Sequence, residues 1–195
     1  MLTALDANPL LRRGFRVDGT VARARIYATA LGVYQLSLNG QRVGDHELAP
    51  GWTDYHKRVQ YQTYDVTRQL QPGDNALGAL LGDGWYAGSI AWFGTDNYGS
   101  RPHLSAQLVI DYADGRSATI GTDGSWRVTG GPFLQSDLIH GETYDARRLP
   151  AGWDRAGFND AGWKPPPSTT STPQTSSSPR STHRCGSPRN CRPGR

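Results

Sequence analysis

The clearest period-two pattern of the chain is VARARIYATALGVYQLSLNG, residues 21–40. Successive side chains of a β-strand point to opposite faces, so the first half places small or apolar residues on one face: Ala22, Ala24, Ile26 and Ala28. Residues 33–38 follow and end at Asn39-Gly40, a dipeptide that tolerates the positive φ angles of a type I′ turn. This stretch therefore predicts two strands, the second of which enters a tight hairpin.

Similar short segments continue along the chain and are separated by Gly, Asn and Asp. Residues 75–81 are almost continuously apolar, which favours a strand buried on both faces. Ala113-Asp114-Gly115 is a further hairpin signal. The other predicted strands are 59–66, 104–112, 117–122 and 126–129. No window of a dozen residues has a helical stripe with caps, so the predicted fold is all-β, an antiparallel jelly-roll β-sandwich.

Charge divides the chain into two regions. All 17 acidic residues precede Lys164, whereas six of the 21 basic residues lie at or after it, so residues 1–163 have 15 basic and 17 acidic side chains. The net charge of +4 thus comes from the tail and does not indicate a nucleic-acid partner. Both cysteines, Cys185 and Cys191, also lie in the tail, which excludes a disulfide framework or a Cys-based zinc site in the body.

The predicted organisation is a β-sandwich domain at 1–163 and a disordered, low-complexity tail at 164–195, rich in Pro, Ser, Thr and Arg. No apolar run approaches about 18 residues, and residues 1–13 have no signal-peptide core. We therefore expect no membrane association and a cytoplasmic location.

Aromatic residues cluster in loops where the strand pattern breaks. They are Trp52, Tyr55, Trp85, Tyr86, Trp92, Phe93 and Tyr98. One interpretation is that these rings plug the ends of the sandwich. The other is a sugar platform, because pyranose C–H faces stack on aromatic rings while neighbouring polar groups bind the hydroxyls. The predicted sugar-binding residues are Trp85, Tyr86, Trp92, Asn97 and Arg101.

The same loop offers a candidate calcium site. Calcium takes six to eight oxygen ligands, and Asp96 and Asn97 with the carbonyls of 99–102 form the best local set. Asp45 or Asp54 could reach over from a neighbouring loop. The alternative is that Asp96-Asn97 only forms a turn, since both residue types tolerate the left-handed region.

Ordered segments between Leu10 and Trp163 resemble the N-terminal domain of bacterial α-L-rhamnosidases, glycoside hydrolase family 78. They are ARIYATALGVY (24–34), LNGQRVG (38–44), LAPGWTDY (48–55), YQTYDVT (61–67), GDNAL (73–77), GDGWY (82–86) and GETYDAR (141–147). The resemblance implies a galactose-binding-like β-sandwich that recognises substrate and precedes an (α/α)₆ catalytic barrel. It implies L-rhamnose or rhamnosides and that barrel as partners, and some related modules bind L-rhamnose with calcium.

Catalysis is not expected from this chain alone. Inverting hydrolysis needs two carboxyl groups about 6.5–9.5 Å apart, and in the resembled family both come from the barrel. Glu142 and Asp145 lie in one strand-and-turn segment, where capping or turn bonding is the favoured role. The alternatives to sugar recognition are a structural domain that packs on the barrel and a free-standing hydrolase.

The tail has a second interpretation, a one-nucleotide frameshift near 164–168. Residues 168–194 can be translated back into codons and read in the frame that starts at the third base of each codon. The genetic code then permits a sequence that contains acidic and apolar residues. The shifted sequence also resembles the stretch that follows this domain in rhamnosidases. On this hypothesis the chain is truncated before the barrel, and His183, Cys185 and Cys191 are not a metal site.

Overall fold

A computed structural model gives the fold and describes residues 2–3, 8–167 and 176–179. Within these residues, strands form two facing sheets and a separate two-stranded hairpin. The strands are β1 (Leu2–Thr3), β2 (Pro9–Val17), β3 (Val21–Leu31), β4 (Val33–Leu38), β5 (Gln41–Arg42), β6 (Arg58–Asp65), β7 (Gly73–Gly82), β8 (His103–Tyr112), β9 (Ser117–Gly121), β10 (Arg127–Gly130), β11 (Phe133–Asp137), β12 (Gly141–Tyr144) and β13 (Ser176–Pro179). The helical segments are α1 (Gly84–Ala87) and two 3₁₀ turns, Ala91–Phe93 and Ala146–Arg148.

Each of the two large sheets combines strands from distant parts of the chain. The six-stranded sheet has the order β1-β8-β3-β6-β13, with β9 also paired to β8, and the five-stranded sheet has the order β10-β2-β7-β4-β5. β11 and β12 pair with each other. Among the described strands, every ladder is antiparallel except that between β13 and β6. The predicted antiparallel β-sandwich is confirmed.

The hydrophobic core lies between the two large sheets and takes side chains from both. Ile26 of β3 and Leu108 of β8 meet Leu36 of β4 and Leu77 of β7 there, and all four are almost completely buried. Full burial of such a side chain contributes about 1.5–3 kcal/mol. β7 is buried along most of its length, as its apolar run predicts.

The hairpin prediction at 39–40 is confirmed, because both residues have positive φ, 54° at Asn39 and 78° at Gly40. The predicted apolar face of β3 is correct for Ala24, Ile26 and Ala28 but wrong for Ala22, which is exposed. The β3–β8 ladder shifts register between Val21 and Arg23, so Ala22 is the extra residue of a bulge.

β2 was not expected from the sequence. Its Leu10, Leu11 and Arg12 are all buried, which breaks the alternation that marks a strand. Arg12 is only 4% exposed because the C-terminal segment of the body covers it. Its Nε donates to the Trp153 carbonyl at 2.8 Å, and its guanidinium pairs with Asp160.

The start of the tail is attached to the sandwich. Lys164 and Val128 exchange two backbone hydrogen bonds of 2.8 and 3.0 Å. Residues 176–179 form β13, while 168–175 and 180–195, with His183, Cys185 and Cys191, lie outside the described residues. The frameshift hypothesis therefore stays a prediction. In the part of the chain that the structure describes, no helix is long and apolar enough to cross a membrane.

Candidate functional site

The predicted site residues lie in the connection between β7 and β8, residues 83–102. This loop turns over the start of β4 at Gly84, whose φ is +55° and where a Cβ would lie 2.8 Å from Val33 Cγ1. Glycine meets both the positive φ and the close approach. Backbone hydrogen bonds from Asp96 N to the Ala87 carbonyl (3.1 Å) and from Tyr98 N to the Tyr86 carbonyl (3.3 Å) fold the second half of the loop back onto α1.

A cluster of three tyrosines anchors this loop to the outer face of the six-stranded sheet. Tyr55 is buried, and its ring centroid lies 5.4 Å from that of Tyr86 and 5.0 Å from that of Tyr98. These rings pack over Leu31 and Val59. Tyr55 is therefore a packing residue, but it lies on the outer face of a sheet and not at an end of the sandwich, while Tyr86 and Tyr98 remain partly accessible. We call Tyr55, Tyr86 and Tyr98 the tyrosine cluster.

Other aromatic rings of the same region face solvent. Trp52 and Trp85 stack with centroids 6.2 Å apart and planes only 4° from parallel, and Trp52 is 50% exposed. Trp92 is 90% exposed and Phe93 is 70% exposed, both on the 3₁₀ turn. Leaving large apolar rings in water is unfavourable, and such a patch is typical of a binding surface. The exposure of Trp52 and Trp92 is compatible with the platform interpretation, which stays a prediction. Trp85 is half-buried and also packs against the buried cluster of Leu31, Tyr55 and Val59.

Two polar residues of the predicted site lie on the same loop. The Asn97 amide donates to the Gly94 carbonyl at 2.8 Å, which leaves its own carbonyl oxygen available. Arg101 is exposed, and its guanidinium makes no hydrogen bond or ion pair with the described residues. An unpaired guanidinium offers five N–H donors to a ligand. The assignment of Trp85, Tyr86, Trp92, Asn97 and Arg101 to sugar binding stays a prediction.

The calcium prediction rests on few side chains. Asp96 has φ 62°, which lies in the left-handed region that the turn alternative invoked, and its carboxylate accepts no hydrogen bond from the described residues. Asp54 is held in its own turn by the His56 amide and by Lys57. Within the described ranges, no group of three or more His, Cys, Asp or Glu side chains is placed to hold a metal ion. Any calcium at Asp96 and Asn97 would need backbone, water or ligand oxygens to complete its coordination.

Two further carboxylates near the site were missed by the sequence analysis. Asp83 is partly buried at the start of α1, and burial, followed by the charges of Asp137 and Asp96, raises its pKa to about 6. Burial also acts on Asp137, but hydrogen bonds from the backbone N–H groups of His140, Ser89 and Ile139 outweigh it and lower the pKa of Asp137. The hydrogen bond from Ser89 to Asp137 ties the β11–β12 turn to the loop that carries Trp92.

Asp145 has a local role. Its carboxylate accepts a hydrogen bond from the Arg147 backbone N–H at 3.1 Å and pairs with the Arg147 guanidinium at 2.8 Å. This agrees with the capping role expected from the sequence and takes Asp145 out of any pair of catalytic carboxylates with Glu142.

The fold and the exposed loop residues define a class of protein, a β-sandwich domain with an aromatic surface patch carried by the loops at one end. The chain belongs to the alpha-L-rhamnosidase N-terminal domain family, whose sequence model matches residues 19–184. It is 56% identical over 154 residues to an alpha-L-rhamnosidase of Streptomyces avermitilis, covering 78% of this chain and 15% of that protein. It is 39% identical over 167 residues to an alpha-L-rhamnosidase of Alteromonas sp., covering 85% of this chain and 18% of that protein. The chain thus spans less than a fifth of these relatives.

Solved structures agree with this placement. A crystal structure of the Streptomyces avermitilis alpha-L-rhamnosidase complexed with L-rhamnose superposes with a TM-score of 0.82 at 51% identity, over 87% of this chain and 16% of that one. The native rhamnosidase of Aspergillus terreus has a TM-score of 0.82 at 42% identity, over 87% and 20% of the two chains. A lectin of Pleurotus ostreatus, at 19% identity, 84% and 36% coverage and a TM-score of 0.55, shares the fold alone.

Proposed function

We propose that this chain is the accessory substrate-recognition domain of an α-L-rhamnosidase and binds terminal L-rhamnose at Trp85, Tyr86, Trp92, Asn97 and Arg101. The observation that carries the proposal is the 90% exposure of Trp92 on the β7–β8 loop, which also carries the other four residues. The complex of the 51% identical Streptomyces avermitilis enzyme with L-rhamnose supports the ligand class.

The chemistry of these residues matches a neutral deoxysugar. Rhamnose has apolar C–H faces and a methyl group, which an indole such as Trp92 can cover. Its hydroxyl groups need donors and acceptors, and Arg101 and the Asn97 carbonyl oxygen have free hydrogen-bonding capacity within the described residues. Stacking and a few directed hydrogen bonds together give a shallow site of modest affinity.

Calcium is the candidate cofactor of this site. The Asp96 carboxylate and the Asn97 carbonyl oxygen would supply side-chain ligands, and carbonyls of 99–102 would supply others. The hard oxygen donors present suit calcium, and adjacent hydroxyl groups of a sugar can complete such a coordination shell. The charges of Asp96 and Asp137 both act on Asp83, and such a group of carboxylates also favours a cation there.

The reaction proposed for the whole protein is hydrolysis of terminal rhamnose from glycosides. This domain would hold the substrate near a catalytic barrel in another part of the whole protein. Neither Asp145, which binds Arg147, nor Glu142 is proposed as a catalytic residue.

Isothermal titration calorimetry with L-rhamnose tests the proposal through Trp92→Ala. We expect at least a tenfold loss of affinity, equivalent to about 1.4 kcal/mol, because the variant removes the exposed stacking surface. Tyr144→Ala is the matched control, since Tyr144 is 47% exposed on β12 and is not a predicted sugar ligand. Equal affinity of both variants and the parent chain would contradict the assigned site.

The second candidate function is a structural domain that packs on the catalytic barrel. It is favoured by exposed apolar side chains on and after the β11–β12 hairpin, which are Leu134, Leu138, Ile139, Tyr144 and Leu149. Such exposed apolar side chains are typical of a protein interface. This function predicts no rhamnose binding and concentration-dependent association of the isolated chain, which light scattering measures.

A further inference from the structure

A groove of about 310 Å³ lies on the outer face of the six-stranded sheet, outside the loop site described above. It is lined by Tyr27, Ala28, Thr29, Tyr61, Ser105, Ala106 and Gln107. The residues come from three neighbouring strands, β3, β6 and β8. The volume is at the lower end of the range for small-molecule sites, about 300–1,000 Å³.

Strand alternation explains which side chains face the groove. Ala28 and Ala106 are buried in the core, so their neighbours Tyr27, Thr29 and Gln107 point to the opposite, outer face. Tyr61 likewise alternates with the buried Gln62 of β6. The outer face thus carries two tyrosine rings and a strip of short polar side chains.

These groups have the chemistry of a neutral saccharide site. The Tyr27 and Tyr61 ring centroids lie 6.5 Å apart with planes inclined by 56°, which leaves a V-shaped apolar surface. The side chains of Ser105 and Gln107 and both tyrosine hydroxyls make no hydrogen bond to the described residues. None of the seven lining residues is charged. An apolar surface next to free hydrogen-bonding groups, without charge, matches a sugar ring better than an anion or a cation.

The groove lies next to the tyrosine cluster, whose Tyr86 belongs to the proposed rhamnose site. Leu31 and His103 lie two residues further along β3 and β8, on the same outer face as Thr29 and Ser105. The tyrosine cluster packs over Leu31, and the Tyr86 ring lies 6.1 Å from the His103 ring. Two residues of a strand span about 7 Å, so the groove begins where the tyrosine cluster ends.

We infer that the Tyr27–Tyr61 groove is a second subsite, which takes the neutral sugar unit adjoining the rhamnose held by the loops. This inference rests on the proposed function. The tyrosine rings stack on the second sugar, and Ser105 and Gln107 bind its hydroxyl groups. The chain thereby prefers rhamnose-terminated oligosaccharides over free L-rhamnose.

The test compares calorimetric titrations of L-rhamnose with those of two disaccharides, rhamnose linked α-(1→2) and α-(1→6) to D-glucose. For the parent chain we expect at least one disaccharide to bind about five- to tenfold more tightly than L-rhamnose. Tyr27→Ala combined with Tyr61→Ala should abolish this gain and leave the affinity for L-rhamnose unchanged. Gln107→Ala, a milder change on the same face, should reduce the gain, and Tyr144→Ala should preserve it.

The outcomes separate the two claims. Rhamnose binding without a gain for either disaccharide overturns the groove subsite and leaves the proposed function intact. The subsite is also overturned if both the double tyrosine variant and Gln107→Ala keep the full affinity gain for a disaccharide over L-rhamnose. Absence of L-rhamnose binding by the parent chain overturns the proposed function itself. Thermal unfolding of each variant shows whether it folds, and Gln107→Ala supplies the test if the double variant does not.

Discussion

Asp83 and Asp137 are two carboxylates of the same loop region with opposite behaviour. Asp83 is partly buried, accepts no hydrogen bond from the described residues, and has a pKa raised to about 6. Asp137 accepts backbone N–H groups of Ser89 and Ile139 at 2.7 and 2.8 Å, and its pKa is lowered. The two pKa values move in opposite directions because burial dominates at Asp83, whereas backbone hydrogen bonds outweigh burial at Asp137.

Asp83→Asn is predicted to increase stability at neutral pH. The folded-state pKa of about 6 exceeds the ordinary aspartate value of 3.8, so the ionised form opposes folding. This penalty is absent below pH 3.8 and is complete above pH 6. After discounting for solvent screening, we expect a gain of about 1 kcal/mol at pH 7.5 and none at pH 3.5.

Urea unfolding at both pH values, in calcium-free buffer, measures this effect. Glu142→Gln is the control, because Glu142 is exposed and its carboxylate has no hydrogen-bond partner among the described residues. Its effect should stay within about 0.5 kcal/mol at both pH values. Equal stability of Asp83→Asn and the parent chain at pH 7.5 would show that the Asp83 carboxylate is solvated.

At the scale of elements, β2 holds the end of the domain in place. Arg12 donates to the carbonyls of Trp153 and Arg155 at 2.8 and 3.0 Å and pairs with Asp160. One buried guanidinium thus joins a central strand of the five-stranded sheet to a segment more than 140 residues later. A segment that is held by only a few hydrogen bonds and ion pairs opens when they are lost.

Arg12→Met is predicted to lower the free energy of unfolding by about 3 kcal/mol, because buried carbonyl and carboxylate groups lose their partner. Methionine keeps the apolar part of the side chain. Limited proteolysis should then cleave within 150–163, and urea unfolding gives the stability. Arg16→Met is the matched control on the same strand and face, since Arg16 is 63% exposed and its ion pairs with Asp18 and Asp74 are at the surface. Similar losses in both variants would contradict the anchoring role of Arg12.

The sequence predicted the strands whose burial follows period two. β4 was predicted with its observed bounds, and the Asn39-Gly40 turn follows from backbone sterics alone. β2 was missed because the burial of Arg12 depends on partners far away in the sequence. Ala22 was placed on the wrong face because a bulge cannot be inferred from alternation.

The aromatic loop residues show the same limit for the site. Their sequence context does not separate Tyr55, buried over Leu31 and Val59, from Trp92, which is 90% exposed. The difference arises because Tyr55 packs on the outer face of the six-stranded sheet, whereas Trp92 does not. Asp83 and Asp137 were missed for a related reason, because the neighbours that shift their pKa values lie across the fold.

At the scale of the whole molecule, two groups of exposed apolar side chains among the described residues support different functions. The loop group around Trp92 favours sugar recognition, and the group after β11, with Leu138 and Ile139, favours contact with another domain. The two roles are compatible, since the chain spans only 15% and 18% of two relatives from Streptomyces avermitilis and Alteromonas sp.. A domain of a larger enzyme can bind substrate on one surface and pack on its neighbour with another.

The central claim is that L-rhamnose binds at the loop site, and amide NMR shifts of the ¹⁵N-labelled chain test it most directly. Titration with L-rhamnose in the presence of calcium should give saturable shift changes at Trp85, Tyr86 and residues 92–101, with the β11–β12 hairpin unaffected. Removal of calcium by a chelator should weaken binding if Asp96 and Asn97 hold the ion. Absence of any shift change at about 100 mM L-rhamnose, far above a millimolar Kd, would contradict this claim. Shift changes confined to the hairpin would also contradict it.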